Sequence, residues 1–84
     1  MSDLQTRFDA ATAHAKGLSE RPDNATLLNI YALFKQATAG DNVDQKPGFS
    51  DLVGRAKWDA WNRLKGTPGA AAMQQYIDLI ESLR

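Results

Sequence analysis

Glycine and proline cut this chain into four pieces, and within each piece the apolar residues recur at helical spacing. The breaks fall at Gly17 and Pro22, at Gly40, and at Gly66 and Pro68. Glycine takes the left-handed conformation that ends a helix, and proline cannot continue one. No segment alternates apolar and polar residues with the period of two that a strand requires. A chain punctuated in this way is all-α, with four helices.

The first helix is expected over 3–16, with Leu4, Phe8, Ala11 and Ala15 on one face. Ser2 and Gln5 have the spacing of a capping box, and Gly17 is a left-handed terminator. Asp23 caps a second helix over 24–39, whose main apolar stripe is Leu27, Ile30, Tyr31, Phe34 and Thr38. Residues 41–49 repeat at neither period and form a long loop, a feature that is often functional in a compact domain. Ser50 or Asp51 caps a third helix over 52–65. Arg63 and Lys65 near its end face the negative pole of the helix dipole. Thr67 as N-cap and Pro68 as first helical residue open a fourth helix over 68–83, carrying Met73, Tyr76, Ile77, Ile80 and Leu83 on one face. The long loop leaves room for the second and third helices to run parallel.

Eighty-four residues suffice for one small domain, 1–84, and leave little space for a deep enclosed active site. Cysteine is absent, which excludes disulfides and thiolate metal sites and fits a reducing, cytoplasmic setting. No apolar run approaches the roughly 18 residues of a membrane helix, and the first residues lack a secretory pattern, so no stable membrane insertion is expected. Formal net charge is zero. A nucleic-acid binder ordinarily carries a basic excess, so none is expected as a partner. The charge is nonetheless uneven: residues 31–65 hold six basic and four acidic residues.

That basic stretch holds the candidate site. Lys35 follows Tyr31 one helical turn later, on the same face. Lys57 adjoins Trp58 in a segment that also carries Trp61. Two lysines and a tyrosine hydroxyl suit a phosphorylated ligand, because ammonium–phosphate hydrogen bonds are charge-assisted. Phe34 and Tyr76 offer flat faces to a purine or an apolar chain. The same residues have plainer readings. The lysines, Lys16 among them, suit a solvated surface, Tyr31 suits the core edge, and Phe34, Tyr76, Trp58 and Trp61 suit the core. His14 is the one histidine and has no nucleophile or orienting carboxylate at a telling spacing, so neither catalysis nor a zinc site is expected.

The run from Tyr31 through Lys35, Gln36 and Gly40 to Asp41 resembles the acyl-CoA-binding protein family. So do Pro47-Gly48, the run from Gly54 through Lys57 and Trp58 to Trp61, Lys65-Gly66, Ala72-Met73 and Tyr76-Ile77. Phe8 and Lys16 extend the match to the first helix. The resemblance implies an up-down-down-up four-helix bundle that binds medium- to long-chain acyl-CoA, one ligand per domain, as a monomeric intracellular carrier and buffer without catalysis or cofactor. It implies a ligand set of Lys16, Leu28, Tyr31, Phe34, Lys35, Lys57 and Tyr76. Tyr31, Lys35 and Lys57 would hold the ribose 3′-phosphate, Tyr76 the adenine and ribose, and Lys16 the remaining phosphates. Phe34 stands where the family commonly has tyrosine, so its ring can stack but cannot hydrogen-bond. The competing readings are a helical protein-interaction module and an enzyme acting on CoA esters, such as a thioesterase.

Overall fold

The computed structural model describes residues 3–84. They form α1 (Asp3–Lys16), α2 (Asn24–Ala39), α3 (Leu52–Asn62) and α4 (Gly69–Leu83), with no strand among the described residues. The expected capping box involves Ser2, outside the described residues. Gln5 donates its amide to Asp9 Oδ1 at 2.9 Å.

Caps set most of the boundaries. The Asp23 carboxylate accepts from Thr26 N–H at 2.8 Å and starts α2. Of the two residues expected to cap α3, Asp51 does so, accepting from Gly54 N–H at 2.9 Å. Gly40 closes α2 with φ +81° and returns its N–H to the Gln36 carbonyl.

Three local expectations are corrected. Gly17 has no positive φ; its N–H bonds to the His14 carbonyl at 3.0 Å, so α1 ends in a tight three-residue turn instead. Helix α3 stops at Asn62 rather than 65, because the chain tightens into successive turns. Leu64 N–H bonds to the Trp61 carbonyl and Lys65 N–H to the Asn62 carbonyl. Gly66, with φ +90°, then presents its N–H to Asp41 Oδ1 at 2.8 Å. Arg63 and Lys65 therefore lie beyond the helix whose dipole they were expected to face. Finally, Pro68 is the N-cap of α4 and makes no side-chain cap bond, while the Thr67 carbonyl accepts from the Gln36 side chain at 2.9 Å.

Contacts fix the chain directions. Tyr31 meets Lys57, and one turn later on both helices Lys35 meets Trp61. Partners that advance together mean that α2 and α3 are parallel. Ala37 near the end of α2 lies beside Gly69 at the start of α4, whereas Asn29 shares a cleft with Leu79, so α2 and α4 are antiparallel. Phe8 meets Tyr76, and Ala13 and Gly17 border the same cleft as Leu83, so α1 and α4 are parallel. The result is an up-down-down-up bundle in the lateral order α1, α4, α2, α3.

The bundle is flattened, 39 × 29 × 14 Å between Cα extremes. Its radius of gyration is 13.1 Å, against about 12 Å for a compact domain of this length. Two apolar clusters hold it. Phe8, Ala11, Leu33, Tyr76, Ile77 and Ile80 join α1, α2 and α4. Ala32, Ala60 and Trp61 join α2 to α3.

Candidate functional site

The expected apolar stripe of α2 is not its buried face. Ala32, Leu33 and Gln36 are buried. At 100° per residue they lie across the helix from Tyr31, Phe34 and Thr38. Phe34 is 39% exposed, and Leu27, Leu28 and Tyr31 are half-buried. The reason is lateral packing. Helix α2 is flanked by α3 and α4, so the arc that carries Ala32, Leu33 and Gln36 is enclosed, and Leu27, Tyr31 and Phe34 on the opposite arc stay partly open.

Those residues meet the start of α3 across an open cavity of about 500 Å³. It is lined mainly by Leu27, Leu28, Leu52, Val53 and Ala56, with Arg21, Asn24 and Lys57 completing the rim. A second cleft of about 390 Å³ lies across α2, where Arg63, Asn29 and Gln75 mix with Leu64 and Leu79. The first is the candidate site, since its wall is the more apolar and Lys57 stands on its rim.

Lys57 Nζ lies 5.3 Å from the centre of the Tyr31 ring, and Lys35 Nζ lies 4.8 Å from the centre of the Trp61 ring. A ring face attracts a cation by roughly 0.5–1 kcal/mol at exposed sites. It does so without neutralising the charge. Neither ammonium has an ion-pair partner among the described residues, where the ion pairs are Lys46–Asp59 and Arg84–Glu81. Two positioned cations without a paired carboxylate thus stand one helical turn apart along the seam, and such an arrangement could hold an anion.

The remaining sequence candidates separate. Phe34 stacks on Phe8 at 6.0 Å and lies 6.2 Å from the Tyr76 ring. Helices α1 and α2 have no close backbone approach, so this ring contact bridges them. Tyr76 packs edge-on to Phe8 at 5.0 Å and is only 3% exposed. Burial raises its phenol pKa above the ordinary value. Its ring therefore behaves chiefly as core, with Phe34 covering it. Lys16 is exposed at the end of α1, which packs on α4 and not on the α2/α3 seam. Thus Tyr31, Lys35, Lys57 and Leu28 are brought together along the seam. Phe34 and Tyr76 form an adjoining aromatic group, and Lys16 stands apart.

The loop between α2 and α3 is pinned by both tryptophans. Trp61 is buried and donates its indole N–H to the Gly40 carbonyl at 2.9 Å. Trp58 is half-buried and donates to the Asp44 carbonyl at 2.7 Å. Lys46 lies over the Trp58 ring at 5.4 Å and pairs with Asp59 at 3.0 Å. Arg55 donates to the Pro47 carbonyl at 2.9 Å.

Beneath the loop sits a polar knot with no obvious sequence signature. Gln36, 1% exposed, donates Nε2 to Asp41 Oδ1 and to the Thr67 carbonyl, while its Oε1 has no partner. Asn42, 3% exposed, donates to the Trp58 carbonyl and accepts from Asp44 N–H. The Gly66 N–H, and secondarily the Gln36 amide, hold the Asp41 carboxyl below the usual range. Leu52 and Val53 were also missed as cavity residues. The available signal was two large apolar side chains directly after the N-cap of α3, where a helix packing only on α2 has no core to fill.

A family profile described as "Acyl CoA binding protein" matches residues 5–80. An acyl-CoA-binding protein homolog of Drosophila melanogaster is 51% identical over 80 residues, covering 95% of this chain and 93% of its own length. Enoyl-CoA delta isomerase 2 of Homo sapiens is 47% identical over 83 residues, but the chain spans only 21% of that protein. The crystal structure of Oryza sativa acyl-CoA-binding protein 2 superposes with a TM-score of 0.91 at 38% identity, over 95% of this chain and 89% of the other.

Proposed function

The chain belongs to the acyl-CoA-binding protein family, and on that premise we propose how its described residues carry an acyl-CoA. The acyl chain lies in the cavity against Leu27, Leu28, Leu52, Val53 and Ala56. The ribose 3′-phosphate of CoA meets Lys57, Lys35 and the Tyr31 hydroxyl at the seam. Phe34 offers its exposed face to adenine, and Tyr76 supports Phe34 from below. Lys16 attracts the remaining phosphates from a distance. The observation that carries this reading is the double role of Lys57, which lines the apolar cavity and lies over the Tyr31 ring, one turn along the seam from the unpaired Lys35 over Trp61.

Binding, not chemistry, is the expected act. Burying each CH₂ contributes roughly 0.8 kcal/mol, so about fourteen contribute on the order of 10 kcal/mol before ordering costs. The phosphate contacts select for CoA, because a free fatty acid leaves both ammoniums without their anion. A catalytic role would need a base near the thioester. His14 instead lies on α1 and borders clefts against α4. The finer expectations are medium- to long-chain ligands, one per domain, a single domain over 1–84, a monomer, and a cytoplasmic carrier and buffer. No helix among the described residues is long and apolar enough to cross a membrane.

Titration calorimetry tests this directly. Palmitoyl-CoA is expected to saturate at one per chain and palmitate to give no comparable binding. Equal affinity for both would remove the phosphate edge from the function. Incubation with palmitoyl-CoA is expected to release no thiol above background; steady release would make the protein an enzyme.

A further inference from the structure

The most exposed large apolar side chains are not scattered. Phe49 is 86% exposed, Leu52 73% and Val53 67%, and Val43 in the same loop is 89% exposed. Phe49, Leu52 and Val53 fall within five residues, at the junction of the loop with the first turn of α3. Single exposed apolar residues are ordinary, but a cluster of them marks a surface that meets something apolar.

Two observations identify the occupant. First, the cluster runs into the acyl cavity, since Leu52 and Val53 belong to its wall. Second, cations stand behind it. The Arg55 guanidinium lies 4.8 Å from the centre of the Phe49 ring while bonded to the Pro47 carbonyl, and Arg21 and Lys57 close the cavity rim. Of the carboxylates nearby, Asp59 pairs with Lys46 and Asp44 lies further back in the loop; Asp51 and Asp23 cap α3 and α2 and keep their charge, so Arg21, Arg55 and Lys57 outnumber them by one. An apolar tip with basic groups one turn behind matches the layering of a bilayer surface, where apolar side chains enter the acyl boundary and cations stay among the headgroups.

We propose that Phe49, Leu52 and Val53 dip into the surface of a phospholipid bilayer, so that acyl-CoA passes between membrane and cavity without crossing open water. This rests on the acyl-CoA reading above. The loop is braced for such contact: the Trp58 and Trp61 indoles and Arg55 tie its backbone to α3, so the tip is presented on a fixed support.

Transfer kinetics test the proposal. Vesicles of phosphatidylcholine, with and without phosphatidylserine, are loaded with palmitoyl-CoA and mixed with excess protein. Uptake through contact has a rate that rises with protein concentration; uptake through water is limited by escape from the vesicle and does not. The expected result is a concentration-dependent rate, raised by phosphatidylserine. Phe49→Ser is expected to lower it at least about tenfold, in keeping with the loss of one inserted aromatic side chain. Phe49 does not line the cavity, so affinity in vesicle-free buffer is expected to be unchanged. Intact affinity with a rate independent of protein concentration, or an unaffected Phe49→Ser rate, would overturn the inference and leave the carrier reading standing. A dimer in sedimentation that Phe49→Ser dissociates, without any vesicle effect, would assign the tip to a second copy and also overturn it. Failure to bind palmitoyl-CoA in vesicle-free buffer would sink both.

Discussion

The two halves of the bundle are held by different physics. Between α1, α4 and α2 the contact is thick and apolar, with Phe8, Tyr76, Ile77 and Ile80 buried in one cluster. Each large apolar side chain so buried contributes roughly 1.5–3 kcal/mol. Between α2 and α3 the buried apolar layer is two alanines and Trp61. There, directional bonds take over: both indole N–H groups, Asn42, Arg55 and Asp41 tie the loop to the helices. The first half spends its large apolar residues on the core. The second withholds Leu27, Leu28, Leu52 and Val53 from the core and leaves them around a cavity. The difference shows how a chain of this size is stable and still offers apolar surface to a ligand.

The strongest way to break this division is to empty the first half. Ile80 is fully buried, so Ile80→Ala is expected to cost about 2–5 kcal/mol in urea unfolding. Acyl-CoA affinity of the molecules that remain folded should be unchanged. A parallel loss of affinity would mean that the two halves are not separable.

Next come the seam cations. Lys35→Ala and Lys57→Ala are each expected to weaken acyl-CoA binding by about one to two decades, at roughly 1.4 kcal/mol per decade, with melting temperature nearly constant. Unchanged affinity in both variants would exclude them from the site. Trp61→Phe sharpens the boundary between the halves. It keeps an aromatic under Lys35 but deletes the N–H that bonds Gly40. Loss of such a bond costs about 1 kcal/mol, read in unfolding, and the affinity should change less than in Lys35→Ala.

The smallest effect concerns acid. The folded pKa of Asp41 lies below its unfolded value. Its stabilising contribution is therefore present above the unfolded carboxyl pKa, about 3.9, and is lost as pH falls through the folded value. Asp41→Asn should lower the melting temperature at neutrality and converge with the parent protein at low pH, which flattens the acid limb. An acid limb that keeps its slope would show that other carboxyls dominate it, Asp23 among them, which the Thr26 side chain and N–H hold low.

Four helices were legible from punctuation and period, because Asp23, Gly40 and Asp51 act locally. So was the apolar face of α4, whose Tyr76, Ile77 and Ile80 meet both α1 and α2. The stripe of α2 was legible but its direction was not. Helix α2 encloses Ala32, Leu33 and Gln36 between α3 and α4, and Tyr31 and Phe34 lie on its opposite, more open arc. From spacing alone Lys35 and Lys57 look like any surface lysines; the structure places a ring face beside each and gives neither an ion-pair partner among the described residues. The Gln36, Asp41 and Gly66 knot was not legible, because it joins the end of α2 to a turn 25 residues beyond Asp41.

Tyr31–Lys57 and Lys35–Trp61 are matching steps on two parallel rails, since each pair follows the other by one turn on both helices. An aromatic leads on one rail and a cation on the other, and the roles exchange at the next step. Sliding α3 along α2 by one turn, about 5.4 Å, would bring Lys57 level with Lys35 and face like charge with like. The two contacts are therefore gained or forfeited together, and the register of a single helix pair sets the placement of both cations at once.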